Sequence, residues 1–264
     1  MLLLIDAGNT RVKWALVDPR LSRQVLHDAT GKVPADWIAS GVVLHTERQN
    51  LAAAWSDFNI SHVVVANVAG DAVRQHLSQI LLNACGLAQQ QIDWFTSVAD
   101  AGGVRNGYRD PSQLGCDRFA ALIGARALFP AQRLIVATCG TATTIDALEA
   151  DGTFLGGLIL PGPILMAQSL AQKTAQLPQL LQIGEAFDAP PLFADHTEAA
   201  IRSGCLVAHS GAIMQALASH VGACCILSGG AARFIAPLVM QPHEVIDNLV
   251  LRGLQASTWN GDSC

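Results

Sequence analysis

Lysine is scarce in this chain: three of 264 residues, at 13, 32 and 173, against thirteen arginines. Charge of any kind is sparse, at 14%, and acidic residues outnumber basic ones 21 to 16 for a net charge of −5. That shortage of positive charge disfavours a general role on nucleic acid or on an anionic membrane surface. Seven cysteines lie at 85, 116, 139, 205, 224, 225 and 264, and no two have the two-residue spacing of a zinc or redox site. They read as reduced thiols of a cytoplasmic protein. No stretch approaches 18 uninterrupted apolar residues, so no membrane span is expected. The apolar start meets Asp6 after five residues and has no basic flank, which predicts a strand rather than a signal peptide. There is no G-x-x-x-x-G-K-[ST] loop, no G-x-G-x-x-G after a strand, no G-x-S-x-G elbow and no H-E-x-x-H. Dehydrogenase, serine-hydrolase and zinc-enzyme chemistry lose their support accordingly, and the eight histidines show no paired ligand spacing.

Apolar residues are abundant. They make up 51% of the chain, enough for a substantial core, and 264 residues suit one large domain or two of roughly 120–140. Short apolar runs predict strands at Leu2–Asp6, Arg11–Val17, Gln24–Ala29, His62–Ala66 and Ile92–Phe95. Val73, Leu77, Ile80 and Leu81 recur at helical spacing within 72–84, and Gly86 ends that helix. Residues 100–115, with four glycines and a proline, read as a long functional loop. A helix over 117–129 stops at Pro130, and the pattern then restarts. Strands are expected near 134–138, 143–148 and 153–160, a helix after Pro163 and another over 197–220. Strand, helix, strand and helix follow to residue 256. Three strands followed by alternating helices and strands thus occur twice. The prediction is an α/β chain of two like domains, 1–116 and 117–256, with a flexible tail at 257–264.

The chemistry sits where the two halves repeat. Leu2–Ile5 runs into Asp6-Ala7-Gly8-Asn9-Thr10, and Leu134–Ala137 runs into Thr138-Cys139-Gly140-Thr141. Each is a buried-type strand, a tight glycine-containing turn and a returning strand. Gly8 lets backbone approach an anion, Asn9 and Thr10 can donate to phosphate oxygens, and Lys13 adds positive charge. Asp6 at the strand end suits Mg²⁺, directly or through water. The competing reading is an Asx-type turn with a solvated aspartate. Asp117, in the first turn of a helix, is either a dipole-stabilised capping carboxylate or the base that takes a substrate hydroxyl proton. Arg118 is either a surface ion pair or a fork for a substrate carboxylate. Gly156-Gly157, Pro161-Gly162-Pro163 and Ser228-Gly229-Gly230 mark sharp turns, each structural if taken alone.

In order along nearly the whole chain, these pieces resemble the type III pantothenate kinases of the acetate kinase/sugar kinase/Hsp70/actin superfamily. The carriers are Asp6–Thr10 with Lys13, Asn106-Gly107-Tyr108, Gly115-Cys116-Asp117-Arg118, Gly140–Asp146, Gly156-Gly157, Pro161-Gly162, Thr174–Pro178 and Gly229-Gly230. The resemblance implies the actin-type ATPase fold, with the active site in the cleft between the domains. It also implies ATP-dependent phosphorylation of pantothenate to 4'-phosphopantothenate, the first step of coenzyme A synthesis. ATP with Mg²⁺ would be held by Asp6, Ala7, Gly8, Asn9, Thr10, Arg11, Val12, Lys13 and Thr141. Pantothenate would be framed by Tyr108, Gly115, Cys116, Asp117, Arg118 and Thr174, with Asp117 the proton acceptor. A homodimer and a monovalent cation, K⁺ or NH₄⁺, are implied as well.

One position departs from the family pattern. Family members carry an aspartate at the start of the second hairpin, where it helps to hold the monovalent cation; here it is Thr138. A neutral hydroxyl is a poor substitute for that carboxylate. Either the cation is held differently, or its requirement is relaxed, or activity is low. Two alternatives stand beside the kinase: a regulatory nucleotide-binding protein that kept the clamp and lost turnover, and a kinase of another small hydroxy acid.

Overall fold

A computed structural model describes residues 1–18, 37–47, 49–173 and 191–258. They form two compact units, one of residues 1–130 with 249–264 and the other of residues 131–248.

The first unit opens with β1 (Leu2–Ala7) and β2 (Arg11–Val17), an antiparallel hairpin. The edge strand β3 (Trp37–Leu44) follows, then α1 (Asn50–Trp55), β4 (His62–Asn67), α2 (Asp71–Asn83) and β5 (Ile92–Phe95). The sheet order is β3-β2-β1-β4-β5, with β4 parallel to β1. β1 reads as a continuous apolar run because it is covered on both faces. Leu3 and Ile5 join Trp14, Leu16, Val63, Val65, Leu77 and Leu81 in one core. Leu2 and Leu4 on the opposite face are buried too. Trp14 meets Trp55 edge-on at 6.3 Å, a geometry favoured by the ring quadrupoles.

A short hairpin, β6 (Asp100–Ala101) and β7 (Val104–Asn106), precedes α3 (Cys116–Leu128). Residues 100–115 are therefore not one long loop. Gly102 and Gly103 form the tight turn between β6 and β7, and a 3₁₀ turn covers Pro111–Gln113. Counting glycines hides these elements because they are only two and three residues long.

The second unit repeats the plan. β8 (Leu134–Cys139), β9 (Ala142–Leu148) and β10 (Thr153–Pro161) precede α4 (Pro163–Lys173), α5 (Thr197–Ser219), β11 (Cys224–Ser228), α6 (Ala232–Ile235) and β12 (His243–Val245). Within the unit the strand order is β10-β9-β8-β11-β12. β8 is antiparallel to β9 and parallel to β11, as β1 is to β2 and β4. The duplication expected from sequence is thus a duplication of topology.

The division between units differs from the expected boundary at 116. α3 belongs to the first unit, and the chain returns there as α7 (Leu249–Ser257). The cause is a close helix pair. α3 and α7 pack along each other, and a Cβ on Gly253 would collide with the Ala120 carbonyl oxygen. That contact joins residues some 130 positions apart, and no local pattern announces it. The edge strand β3 is a further element absent from the expectation, while the expected strand at 24–29 lies outside the described residues, as does the tail from 259. Among the described residues no helix is long and apolar enough to cross a membrane.

Candidate active site

β1 delivers Asp6 to the carboxyl end of the sheet, and β2 returns with Lys13 directly opposite it in register. Burial pushes the Asp6 carboxyl up to about 6. The Lys13 ammonium opposes that shift, and the Asp117 carboxylate adds to it. Between the two strands the Gly8 N–H donates to the Arg11 carbonyl at 3.1 Å and closes the turn, leaving Asn9, Thr10 and Arg11 exposed. Ala7 and Val12 pair across the hairpin and are wholly buried, so only their backbone can reach a ligand.

Asp117 stands in the first turn of α3. Its Oδ1 accepts the Arg118 N–H at 2.8 Å, one of the amides left unpaired at a helix start. Burial raises its carboxyl above the ordinary range, while the Arg118 N–H and guanidinium pull the other way. Gly115 makes this geometry possible, since a Cβ there would sit 2.7 Å from Asp117 Oδ1. Asp117 thus does satisfy a helix-start amide, yet it is a half-buried carboxylate within electrostatic reach of a second one, which solvated capping residues are not.

Arg118 is buried, at 6% exposure, which removes the reading as a surface ion pair. One guanidinium nitrogen donates to the Tyr108 hydroxyl at 2.9 Å, and the guanidinium carbon lies 5.7 Å from the centre of that ring. Tyr108 is held in turn: its N–H donates to Asn106 Oδ1 at 3.1 Å, and Asn106 Nδ2 donates to the Pro111 carbonyl at 3.0 Å. Cys116 Sγ points at the Asn67 carbonyl, 3.6 Å away, at the end of β4. Burial, then the Asp117 charge, pushes its thiol up to about 11, so it is a neutral wall and not a nucleophile.

Asp6, Gly8, Asn9, Thr10, Lys13, Tyr108, Gly115, Cys116, Asp117 and Arg118 all belong to the first unit. Sequence reasoning missed three residues that shape it. Asn67 anchors α3 and ends the strand paired with Ala7; its place at a strand end before Gly70 was the available signal. Asn106 was quoted only as part of a motif, although an asparagine two residues before Tyr108 is a turn-former. His45 contacts Gly8 from 37 residues away, and nothing local marks it.

In the second unit Thr141 is exposed at the tip of the β8–β9 hairpin, which the Gly140 N–H closes on the Ala142 carbonyl at 2.9 Å. Gly162 donates to the Thr141 carbonyl at 2.8 Å and sits so close that a Cβ would strike Gly140. Ala231 donates to the Cys139 carbonyl at 3.0 Å. The glycine motifs at 162 and 229–230 therefore brace this turn. Thr174 lies outside the described residues.

The donor set discriminates between the implied ions. Among the described residues no group of three or more His, Cys, Asp or Glu forms a metal cluster. Asp6 with Asp117 nearby offers one or two carboxylates, oxygen donors of the kind Mg²⁺ takes. The monovalent cation fits less well. Thr138 pairs with Thr144 on β9 and with Ser228 on β11, a row of three hydroxyls with no carboxylate at that level. Asp146 lies one pleat further on, opposite Val136, and is buried.

The fold has relatives of low sequence similarity. A Sinorhizobium meliloti structure described as a 2-dehydro-3-deoxygalactonokinase superposes with a TM-score of 0.58 at 14% identity, covering 98% of each chain. A Campylobacter jejuni structure described as a Baf family transcriptional activator superposes at 0.57 with 18% identity, over 99% of this chain and 100% of that one. The architecture is thus the two-domain α/β fold of the actin and sugar kinase class. The profile of the type III pantothenate kinases matches residues 2–219. The type III pantothenate kinases of Herminiimonas arsenicoxydans and Janthinobacterium sp. are 51% and 50% identical, each over 96% of both chains. The chain belongs to the type III pantothenate kinase family. It is a kinase that phosphorylates pantothenate in coenzyme A biosynthesis, and the non-catalytic alternative is not favoured.

Proposed function

We propose that the chain transfers the γ-phosphate of ATP to the primary hydroxyl of pantothenate with Asp117 as proton acceptor. The observation that carries this reading is the pair of half-buried carboxylates, Asp6 and Asp117, each raised by desolvation and the second lowering the acidity of the first. Asp117 takes the hydroxyl proton as the hydroxyl oxygen attacks the γ-phosphorus and ADP leaves. Phosphoryl transfer asks more of positioning than of basicity, and a carboxylate shifted toward neutrality accepts the proton more readily. Mg²⁺ bound by Asp6 and phosphate oxygens would neutralise charge developing on the phosphates. Gly8, Asn9 and Thr10 with Lys13 present donors and positive charge to the phosphates, and Thr141, at the tip of the equivalent hairpin of the second unit, is an ATP-binding residue in this reading. Arg118, held by Tyr108, pairs with the pantothenate carboxylate as a preset fork. Purified protein given ATP, Mg²⁺ and pantothenate should release ADP. Hydroxy acids lacking the pantothenate amide should turn over far more slowly, and no pantothenate-dependent ADP would refute the assignment.

The hydroxyl row at Thr138 supports turnover that does not depend on K⁺ or NH₄⁺. The rate should stay level when either ion replaces choline, and strong stimulation would overturn this. A homodimer is supported by exposed apolar residues of the second unit: Leu155 and Ile159 on β10, Ile164 and Leu165 on α4, and Phe193, which is 90% exposed. Light scattering should give twice the chain mass, and Ile159→Asp should lower it. The six described cysteines are all free, which supports a cytoplasmic location.

A further inference from the structure

The phosphate turn of the first unit is braced from outside. β2 pairs with β3 so that Arg11 lies opposite Leu44, which brings the residue after β3, His45, beside the turn. The His45 N–H donates to the Thr10 carbonyl at 3.3 Å. Its ring Nε2 lies 2.6 Å from the Gly8 carbonyl oxygen. A carbonyl oxygen only accepts, so Nε2 carries the proton. The other ring nitrogen, Nδ1, is buried and has no partner among the described residues. The ring's one hydrogen bond is thus made to the turn.

The peptide joining Gly8 to Asn9 is planar and trans, so its C=O and N–H point in opposite directions. Holding the Gly8 carbonyl toward His45 therefore aims the Asn9 N–H away from it. Asn9 is exposed and makes no hydrogen bond to protein among the described residues. We propose that His45 is a positioning residue for ATP: its Nε2 fixes the Gly8–Asn9 peptide plane so that the Asn9 N–H faces a phosphate oxygen. The inference rests on the reading of this turn as the ATP phosphate contact. It assigns the selectivity of the turn for phosphate partly to a side chain that does not touch the nucleotide.

The test compares His45→Ala, His45→Gln and His45→Asn. The glutamine amide nitrogen is as many bonds from Cα as histidine Nε2 and can reach the Gly8 carbonyl; the asparagine nitrogen is one bond too short. Mg·ATP affinity is measured by calorimetry, and the KM values for ATP and pantothenate by ADP release. Removing one hydrogen bond should weaken ATP binding in His45→Ala about 3- to 10-fold. His45→Asn should match it, His45→Gln should recover most of the loss, and the KM for pantothenate should hold. A thermal melt checks that each variant is folded. Should Ala misfold, the Gln–Asn difference decides alone. Unchanged ATP affinity, equal losses in both KM values, or no advantage of Gln over Asn would each overturn the proposal. If wild type binds ATP without pantothenate-dependent turnover, the kinase assignment fails while the affinity ratios still judge His45; if wild type does not bind ATP, both fall.

Discussion

Asp6→Asn should make the metal-free protein more stable while abolishing its catalysis. The Asp6 carboxyl rises from 3.8 to about 6 on folding, through burial first, with Lys13 opposing and Asp117 reinforcing the shift. A raised pKa means that the folded state holds the proton longer than the unfolded state. Below pH 3.8 both states are protonated and Asp6 contributes no difference. Between 3.8 and about 6 the unfolded chain ionises first, so stability falls as pH rises; above about 6 the loss is complete. At about 1.36 kcal/mol per unit, the full loss is about 3 kcal/mol. Asparagine is close to the protonated acid in shape and polarity but never ionises. The variant should therefore match wild type near pH 4 and exceed it by up to about 3 kcal/mol at pH 8. Urea unfolding in EDTA, followed by tryptophan fluorescence, isolates the relevant unit: Trp14, Trp37, Trp55 and Trp94 lie in the first unit, and residues 131–248 contain none. Mg²⁺ should recover part of the wild-type deficit and leave the variant unmoved. Equal stabilities at pH 8, or the same pH dependence in both proteins, would refute the assignment to Asp6 of a desolvated charge that Lys13 only partly offsets.

Asp117→Asn should lower kcat about 100-fold or more, the ordinary range for a lost general base, with little change in ATP affinity by calorimetry. Because burial raises the Asp117 carboxyl and the ionised form is the base, the acid limb of the wild-type kcat–pH profile should lie above pH 3.8. Tyr108→Phe removes the 2.9 Å bond to the Arg118 guanidinium and should raise the KM for pantothenate up to about tenfold, with the KM for ATP unchanged in steady-state assays. Gly253→Ala forces a methyl onto the Ala120 carbonyl. It should destabilise the first unit by about 1–3 kcal/mol in the same urea titration.

What the sequence made legible follows a physical divide. Periodicity reports which faces are buried, so β1, α2, α3, β8 and α5 could be read from it to within a residue or two. The repeated hairpins Asp6–Thr10 and Thr138–Thr141 could be read because a tight turn after a doubly buried strand needs glycine and small polar residues locally. β3 escaped because an edge strand with alternate exposed positions (Ile38, Val42 and Leu44 outward, Trp37, Ala39 and Val43 inward) places apolar residues on both faces and so shows no alternation in composition. The expected boundary at 116 and the division of the two units near residue 130 differ for another reason. A helix that begins after a loop looks like a new start, whereas α3 is claimed for the first unit by α7, more than a hundred residues later.

The same divide explains the site. Asp6, Asp117 and Arg118 stand out in sequence because their chemistry is unusual where they occur: an acid ending an apolar strand, an acid and an arginine opening an apolar helix. Their support does not stand out. The Arg118 guanidinium bonds to Tyr108, Tyr108 bonds to Asn106, and the Gly8 carbonyl in the first turn bonds to His45. Each link is a single hydrogen bond from a common residue type, and two of them reach across ten or more positions. A polar residue that spends its hydrogen bonds on its neighbours rather than on substrate leaves no trace in composition or spacing. Its effect appears only as a direction imposed on the next group, which is why KM differences between near-isosteric variants, rather than loss of activity, are the measurement that reveals it.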